Sequence, residues 1–425
     1  IVAVIVVMLL IFLKGRMFEN VLMFISGCMT LMLVVTGVSI VVTNPPEKES
    51  TQLYVTQKDE FTMSQKENFV ILVLDSFDSR EFTELLSKHP EYRETFADFT
   101  YFENMTAAYS CTKRSIPFIL GGDWYENQGS FTEYMNGVYS GSPLFTALKE
   151  RGYLIDLYED ELYTRDENAL SDFDNIIIAN YYVNSWIRLA KQELKLVGFR
   201  YAPFDLKRFC MTKKSGFDEE ILVDCGYKGF NSENYYFKGD LEDNEIVMDD
   251  TQKRFKFIHL VGAHTPFIYD SDCNIIDMKD GTYEQNAEAS ITLAAMYIDA
   301  LKKSGAYDDT ALIIMADHGY NGDYTSEYEF MRQAALFLVK GRGETHDTMQ
   351  TSQIPVAYED LPVAYERLMD GERSNGIFDW QENDSRERRF LYYDFNKEDI
   401  MIEYIQTGHA QDMTTMVPTG REFNR

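Results

Sequence analysis

Two apolar runs open the chain and set its first 43 residues apart from the mixed pattern beyond them. Residues 1–13, IVAVIVVMLLIFL, carry no charge, and after KGRMFEN a second uncharged run extends from Val21 to Thr43. The second is long enough to cross a bilayer as a helix, and buried core helices would instead alternate apolar with polar positions. The first is short for a span and begins without Met, so residues 1–43 are expected to be transmembrane helices of a truncated membrane domain. A cleaved signal peptide would not be followed by a longer apolar run. Lys14 and Arg16, in the connection between the runs, place that loop in the cytoplasm, which puts everything after Thr43 on the extracellular side of a multi-pass protein of the cell membrane.

The polar stretch 44–67 holds two prolines and no apolar period, and is read as a linker. From Phe69 the pattern changes to FVILVLD, a continuous aliphatic run expected of a strand buried on both faces of a parallel sheet. SPLFTALKERGYLIDLY (142–158) predicts a helix, a glycine stop and a strand. FKFIHLVGAHTPF (255–267) predicts a strand entering a polar loop, and residues 283–319 predict a long helix, a turn and another buried strand. Strands alternating with helices imply an α/β fold whose mostly parallel sheet is sandwiched by helices. The region 160–250 shows no clear period and is expected to be an insertion with helices over the site edge. Residues 371–425 predict a small C-terminal antiparallel β subdomain, leaving 68–370 as the main domain.

Ligands of such sheets bind beyond the carboxyl ends of the strands. Three predicted strands end in chemistry-bearing groups there: Asp75 closes the first, GAHT with His264 follows the second, and Asp317 with His318 closes the third. The formal charge of -29 excludes nucleic acid as a partner and means that an anionic substrate needs a locally positive pocket. Outside the membrane runs lie Cys111, Cys210, Cys225 and Cys273; of three possible pairings, Cys210 with Cys225 closes the shortest loop and is preferred.

VILVLDSFD, TKRSIPFILGG and IIMADHGYNGD together resemble the sulfatase and alkaline-phosphatase superfamily over residues 67–370, and most of all its membrane-anchored branch of lipoteichoic acid synthases and phosphoethanolamine or phosphoglycerol transferases. The resemblance implies an alkaline-phosphatase-like fold and an extracellular catalytic domain. Its nucleophile stands three residues before a Ser and ten before a Gly, on the first turn of a helix. Counting from Thr112 gives Ser115 and Gly122, whereas counting from Ser110 or Cys111 misses the Ser. Thr112 is also a natural helix N-cap.

By the same resemblance Asp75, Thr112, Asp317 and His318 hold one divalent metal ion, with Zn or Mn favoured by the mixed ligand set and Mg or Ca also admitted. Asp75 departs from the Glu common in lipoteichoic acid synthases. His264 matches a catalytic His that holds the transferred group or the leaving oxygen, and Leu260, four residues before it, breaks the pattern that builds a second metal site. Lys113, Arg114, Ser115 and His346 are candidate substrate-binding residues, Ser115 rather as a support of the helix. Asp78 is read as a helix cap, and His259, inside its strand, as a core residue.

Sulfatases use formylglycine, made by oxidising a Cys or Ser, and the same oxidation of a threonine would give a ketone. The C-x-P-x-R type signal is also missing, with Lys113 and Ser115 at its key positions, although SCTKR partly imitates it from Ser110. Thr112 therefore favours phosphoryl transfer from a membrane lipid headgroup to a glycan or polymer acceptor. The alternatives are a sulfuric ester hydrolase on extracellular glycans and a non-catalytic envelope binding protein on the same fold.

Overall fold

The computed structural model describes residues 16–43, 52–160, 162–212, 215–218, 220–224, 226–320, 322, 332–394 and 400–424. The first apolar run, and Cys225 of the preferred disulfide, lie outside them; among the described residues no disulfide forms, and Cys210 is a free thiol. The chain divides into two compact units, Ile1–Thr51 with Asn180–Val223, and Gln52–Ala179 with Asp224–Arg425.

In the first unit, helix α1 (Arg16–Thr43) includes the stretch Met17–Thr36, long and apolar enough to cross a membrane and not buried at all. The same unit contains helix α6 (Trp186–Tyr201), which Ser185 caps by accepting from the Arg188 amide.

The second unit is built on a seven-stranded sheet. Its order is β13 (Gln350–Ser352), β4 (Thr100–Phe102), β12 (Phe337–Lys340), β11 (Thr310–Met315), β3 (Asn68–Leu74), β10 (Lys253–Leu260), β6 (Tyr153–Tyr158). Only β12 runs against its neighbours. Every residue of β3 is buried, as its unbroken apolar run requires when helices cover both faces. The covering helices are α2 (Ser79–Lys88), α3 (Thr112–Gly121), α4 (Phe131–Gly141), α5 (Pro143–Glu150), α7 (Asn234–Asp243), α8 (Tyr283–Ser304) and α9 (Leu361–Met369). Helix α8 starts at a Thr282/Gln285 capping box and stops at Gly305 in the left-handed region. Leu260 pairs with Leu74 and Met315 with Val73, so the segments that leave β3, β10 and β11 do so at one edge of the sheet and nearly level.

Two expectations change. Residues 52–67 are not a free linker: β1 (Gln52–Val55) pairs with β7 (Ile176–Val183), and β2 (Thr62–Ser64) with β9 (Val247–Asp249). The pattern there is too short to show a period, yet Met63 is wholly buried and anchors the strap to the core. The strands β15 (Arg388–Asp394), β16 (Ile400–Gln406) and β17 (Met416–Phe423) form the expected antiparallel sheet, but it is not detached. Leu391 donates to the Ala108 carbonyl and accepts from the Ser110 amide, so β15 grips the segment leading into α3. Two further pairings complete the strand set, β5 (Met105–Thr106) with β14 (Val356–Ala357), and β8 (Ile221–Asp224) with β7.

The strap also buries a carboxyl group. Glu60 is raised to about 8, first by burial and then by the charge of Asp240, against the opposing pull of Lys256. A carboxyl whose pKa is higher folded than unfolded contributes no penalty below pH 4.5 and progressively destabilises the fold as pH rises toward 8. Glu60→Gln is therefore expected to raise thermal stability at pH 8.5 by about 2 kcal/mol or more, since each pH unit between the unfolded and folded values costs roughly 1.4 kcal/mol, and to change little at pH 4.5. Calorimetry at the two pH values checks this, and an equal effect at both would refute it.

Candidate active site

Three consecutive potential nucleophiles precede and open α3, and their surroundings separate them. Ser110 is buried, and its Oγ accepts from the Tyr393 amide at 2.8 Å. The Cys111 thiol is pushed up to about 12, mainly by burial, and is inert at neutral pH. Thr112 alone turns its Oγ1 toward ionisable groups, donating to Asp75 Oδ2 at 3.2 Å and lying 3.5 Å from His318 Nε2. The N-cap of α3 is Cys111, so Thr112 is the first helical residue and not the cap. That position puts its hydroxyl where helix amides concentrate positive potential.

Strand ends bring the remaining groups in. Asp75 follows β3 directly, and Asp317 and His318 follow β11, whose exit is fixed by the Tyr358 hydroxyl donating to the Ala316 carbonyl. Asp317 Oδ1 accepts from the amides of Ser76 at 2.9 Å and His318 at 2.8 Å; Asp317 Oδ2 lies 3.4 Å from His318 Nε2. His318 Nδ1 donates to the Gly319 carbonyl at 2.8 Å, which leaves the Nε2 lone pair facing Thr112 and Asp317. Gly319 is required for space: a Cβ there would stand 2.4 Å from the Ala334 carbonyl oxygen and 2.6 Å from Asp78 Oδ2. Asp78 caps α2 by accepting from the Arg80 amide and pairs with the Arg80 guanidinium, as a cap should.

Sequence reasoning misses two participants. Ser76 adopts a φ of 58°, rare for a residue with a side chain, and this turn lets its amide reach Asp317 while its Oγ donates to Asp75 Oδ1 at 2.8 Å. Nothing in a serine signals that conformation. His259 is buried, as a core residue should be, but its Nε2 lies 3.7 Å from Asp75 Oδ2 and its Nδ1 2.8 Å from Glu159 Oε2, so it belongs to the site. A signal exists: His259 stands one residue before the end of β10, and Glu159 directly follows β6.

Ligand atoms of Asp75, His259 and Asp317 lie within 4.8 Å of one another. Among the described residues, His259 Nε2 and Asp317 Oδ2 are buried and have no hydrogen-bond partner. Burial alone would raise Asp75, but His259, then the charges of His318 and His264, hold it well below the usual carboxylate range. Burial would lower His259, yet Glu159 and Asp75 hold it well above its usual value. The cluster is thus electron-rich and calls for a cation. Carboxylate and imidazole donors at these separations fit one divalent ion, and the Glu159–His259 pair has the form of a carboxylate orienting a ligating imidazole.

The other predicted residues are placed less uniformly. His264 is exposed in the loop after β10, whose backbone is tied to Asp75 through the Ala263 amide. Gly262 makes this approach possible: its φ is +59°, and a Cβ would lie 2.5 Å from the Asp75 nitrogen. Asn286 donates to the carbonyls of His264 and Pro266, fixing the loop. Ser115 is fully buried and donates to the Tyr109 carbonyl, a support of α3.

Three of the substrate-binding candidates are placed elsewhere. Lys113 lies over the Phe131 ring, and Arg114 is buried between the Tyr125 and Phe131 rings with Asn127 as its partner, both beside the aromatic loop after α3. His346 does not join the site. It pairs with Glu344 and Asp98 beyond β12, where Gly343 bonds to Asp308 at the amino end of β11, the opposite edge of the sheet. Reversal of chain direction in β12 carries it there, and sequence spacing could not show that.

A family model described as Sulfatase matches residues 67–356. The chain belongs to the sulfatase family. It is an enzyme of the sulfatase superfamily. No curated protein sequence matches it. Among solved structures it is similar to Ps i-CgsB in complex with k-i-k-neocarrahexaose, at 15% identity, covering 81% of this chain and 82% of that one with a TM-score of 0.49. It is also similar to the lipoteichoic acid synthase LtaP from Listeria monocytogenes, at 13% identity, 86% and 88% coverage and a TM-score of 0.47. The phosphonate monoester hydrolase SpPMH from Silicibacter pomeroyi matches at 14% identity, 83% and 88% coverage and a TM-score of 0.42.

Asp317→Asn and His259→Ala are each expected to lose most bound metal after dialysis, while Glu159→Gln weakens retention about 10- to 100-fold, as loss of an orienting carboxylate does. Elemental analysis of the dialysed, still folded proteins measures it. Metal contents equal to that of the unaltered protein would remove His259 from the site.

Proposed function

We propose that this sulfatase-family enzyme is a membrane-anchored, metal-dependent phosphotransferase. It moves a phosphoglycerol or phosphoethanolamine type headgroup from a lipid to an envelope acceptor on the extracellular side, through a phospho-threonine. The observation that carries the reading is Thr112 Oγ1, held 3.2 Å from Asp75 and 3.5 Å from His318 while Ser110 is committed to a backbone amide and Cys111 is a buried thiol. A threonine there cannot become formylglycine, so direct attack by its oxygen remains.

Asp75, Asp317 and His318, with His259, would hold the divalent ion, which lowers the pKa of the Thr112 hydroxyl and neutralises charge on the phosphoryl oxygens. Thr112 passes its proton along its hydrogen bond to Asp75 Oδ2 as its oxygen bonds to phosphorus. The bond from phosphorus to the diacylglycerol oxygen breaks, and His264 supplies the proton that this oxygen needs to leave. An acceptor hydroxyl then gives its proton to His264 and attacks phosphorus, the bond from phosphorus to the Thr112 oxygen breaks, and Asp75 returns the proton to Thr112. The exposed position of His264 suits a group that must meet both leaving group and acceptor. Helix α1, able to span a bilayer, would confine the enzyme to the surface that holds its lipid donor.

Incubation with phospholipids labelled in the headgroup phosphate is expected to label the unaltered protein covalently and release diacylglycerol, and Thr112→Ala is expected to do neither while keeping its circular dichroism. Formylglycine in the peptide 108–122, read by mass spectrometry, would overturn the proposal in favour of sulfate ester hydrolysis. His264→Gln is expected to lower turnover about 10²- to 10⁴-fold on lipid donors, the usual contribution of a general acid. The loss should be much smaller on a nitrophenyl phosphodiester, whose leaving group needs no proton. Equal losses on both substrates would exclude the general-acid role.

A further inference from the structure

Helix α6 exposes what a water-soluble helix would hide. Its six positions Trp186, Ile187, Ala190, Leu194, Val197 and Tyr201 fall within about 100° of arc at 3.6 residues per turn. Trp186 is 73% exposed, Ile187 74%, Leu194 68% and Tyr201 74%, and no residue of the helix is buried. The segment beyond its end continues the pattern, with Phe204 at 87% and Phe209 at 67% exposure. The helix is nevertheless well formed: Ser185 caps it, Arg188 pairs with Glu220 at 2.8 Å, and Gly198 leaves room for Cys210 of the returning turn. An apolar stripe of this extent on an ordered helix marks an interaction surface.

Charge selects the partner. Residues 186–214 hold eight Lys and Arg against two Asp and Glu, in a chain whose formal charge is -29. Lys191, Lys195 and Arg188 line the arc beside the apolar stripe and are exposed. A strongly acidic protein that concentrates its basic charge beside exposed Trp, Phe and Tyr is built for an anionic, apolar-backed surface, and a lipid bilayer has both properties. The chain also carries α1, able to cross a bilayer.

We propose that α6 and the turn to Phe209 lie in the plane of the membrane interface, with the apolar stripe in the acyl boundary and the basic residues among anionic headgroups. This gives the enzyme a second membrane contact, distinct from a spanning helix. The inference deepens the membrane-anchored reading of the enzyme but stands on the surface of α6 itself.

The test uses the full chain reconstituted in vesicles of phosphatidylglycerol and phosphatidylcholine. Tryptophan quenching by brominated lipid in the unaltered protein is compared with that in Trp186→Phe, so that the difference reports Trp186 alone. The expected result is that Trp186 is quenched by lipid brominated near the headgroup end of the chain and shielded from aqueous iodide. In Lys191→Glu/Lys195→Glu/Arg200→Glu that lipid quenching disappears while circular dichroism is unchanged. Three results would each overturn the proposal: iodide access to Trp186 in vesicles, shielding of Trp186 equally in detergent, as a protein partner or second copy would give, or lipid quenching that survives the charge reversal. Resistance of the chain to alkaline extraction from the same vesicles tests the anchor separately, so failure of one reading is distinguishable from failure of the other.

Discussion

Two carboxylates that would repel each other are held side by side in a largely buried place. Asp75 and Asp317 leave adjacent parallel strands, and Ser76 ties them together by giving its hydroxyl to one and its amide to the other. At such separations and low local dielectric, like charges repel by several kcal/mol unless something positive stands between them. The imidazoles of His259 and His318 and the amino end of α3 supply part of that, and the bare Asp317 Oδ2 and His259 Nε2 mark where the rest belongs. A site so arranged holds its donors in place before any ion or substrate arrives, and the fold around it exists to keep the strand ends level.

The same constraint bears on the proposed nucleophile. Three side chains within three residues differ in their surroundings, and position separates them. Strand β15 takes the Ser110 amide through Leu391 and its hydroxyl through Tyr393, and burial removes Cys111, which leaves the first residue of the helix facing the carboxylates. The C-terminal sheet thereby contributes to chemistry that it never touches, by fixing the rotation of α3.

Much of this is legible in the sequence because the responsible patterns are local. FVILVLD ends in the residue that the strand delivers to the sheet edge, and the ADHG turn places an acid and an imidazole together whatever surrounds them. The spacing from Thr112 to Ser115 and Gly122 is legible only through the resemblance to the sulfatase superfamily, whose nucleophile carries it. Three things are not legible. The φ of Ser76 is imposed by the two carboxylates it serves, and no residue type announces it. His259 sits in a strand that is buried along nearly its whole length, so its pattern matches that of a core residue until Glu159 from the end of β6 is seen beside it. His346 follows a strand that reverses direction, and a chain reversal carries a residue to the far edge of the sheet without changing its spacing along the sequence.

Net charge makes a last connection. A chain at -29 opposes the approach of an anionic ester at long range, and that field does not stop at the site. Positive charge must therefore be concentrated locally, by the divalent ion that the groups around Asp75 and Asp317 would hold and by the basic residues of α6. The first is short-ranged and would act on an ester group already in place. The second acts on a surface, where anionic headgroups are dense and the counterpart of every Lys is repeated across the bilayer, so modest individual attractions add. An acidic protein that meets an anionic surface has reason to separate these tasks, since a uniformly basic face would bind headgroups everywhere and favour none of them.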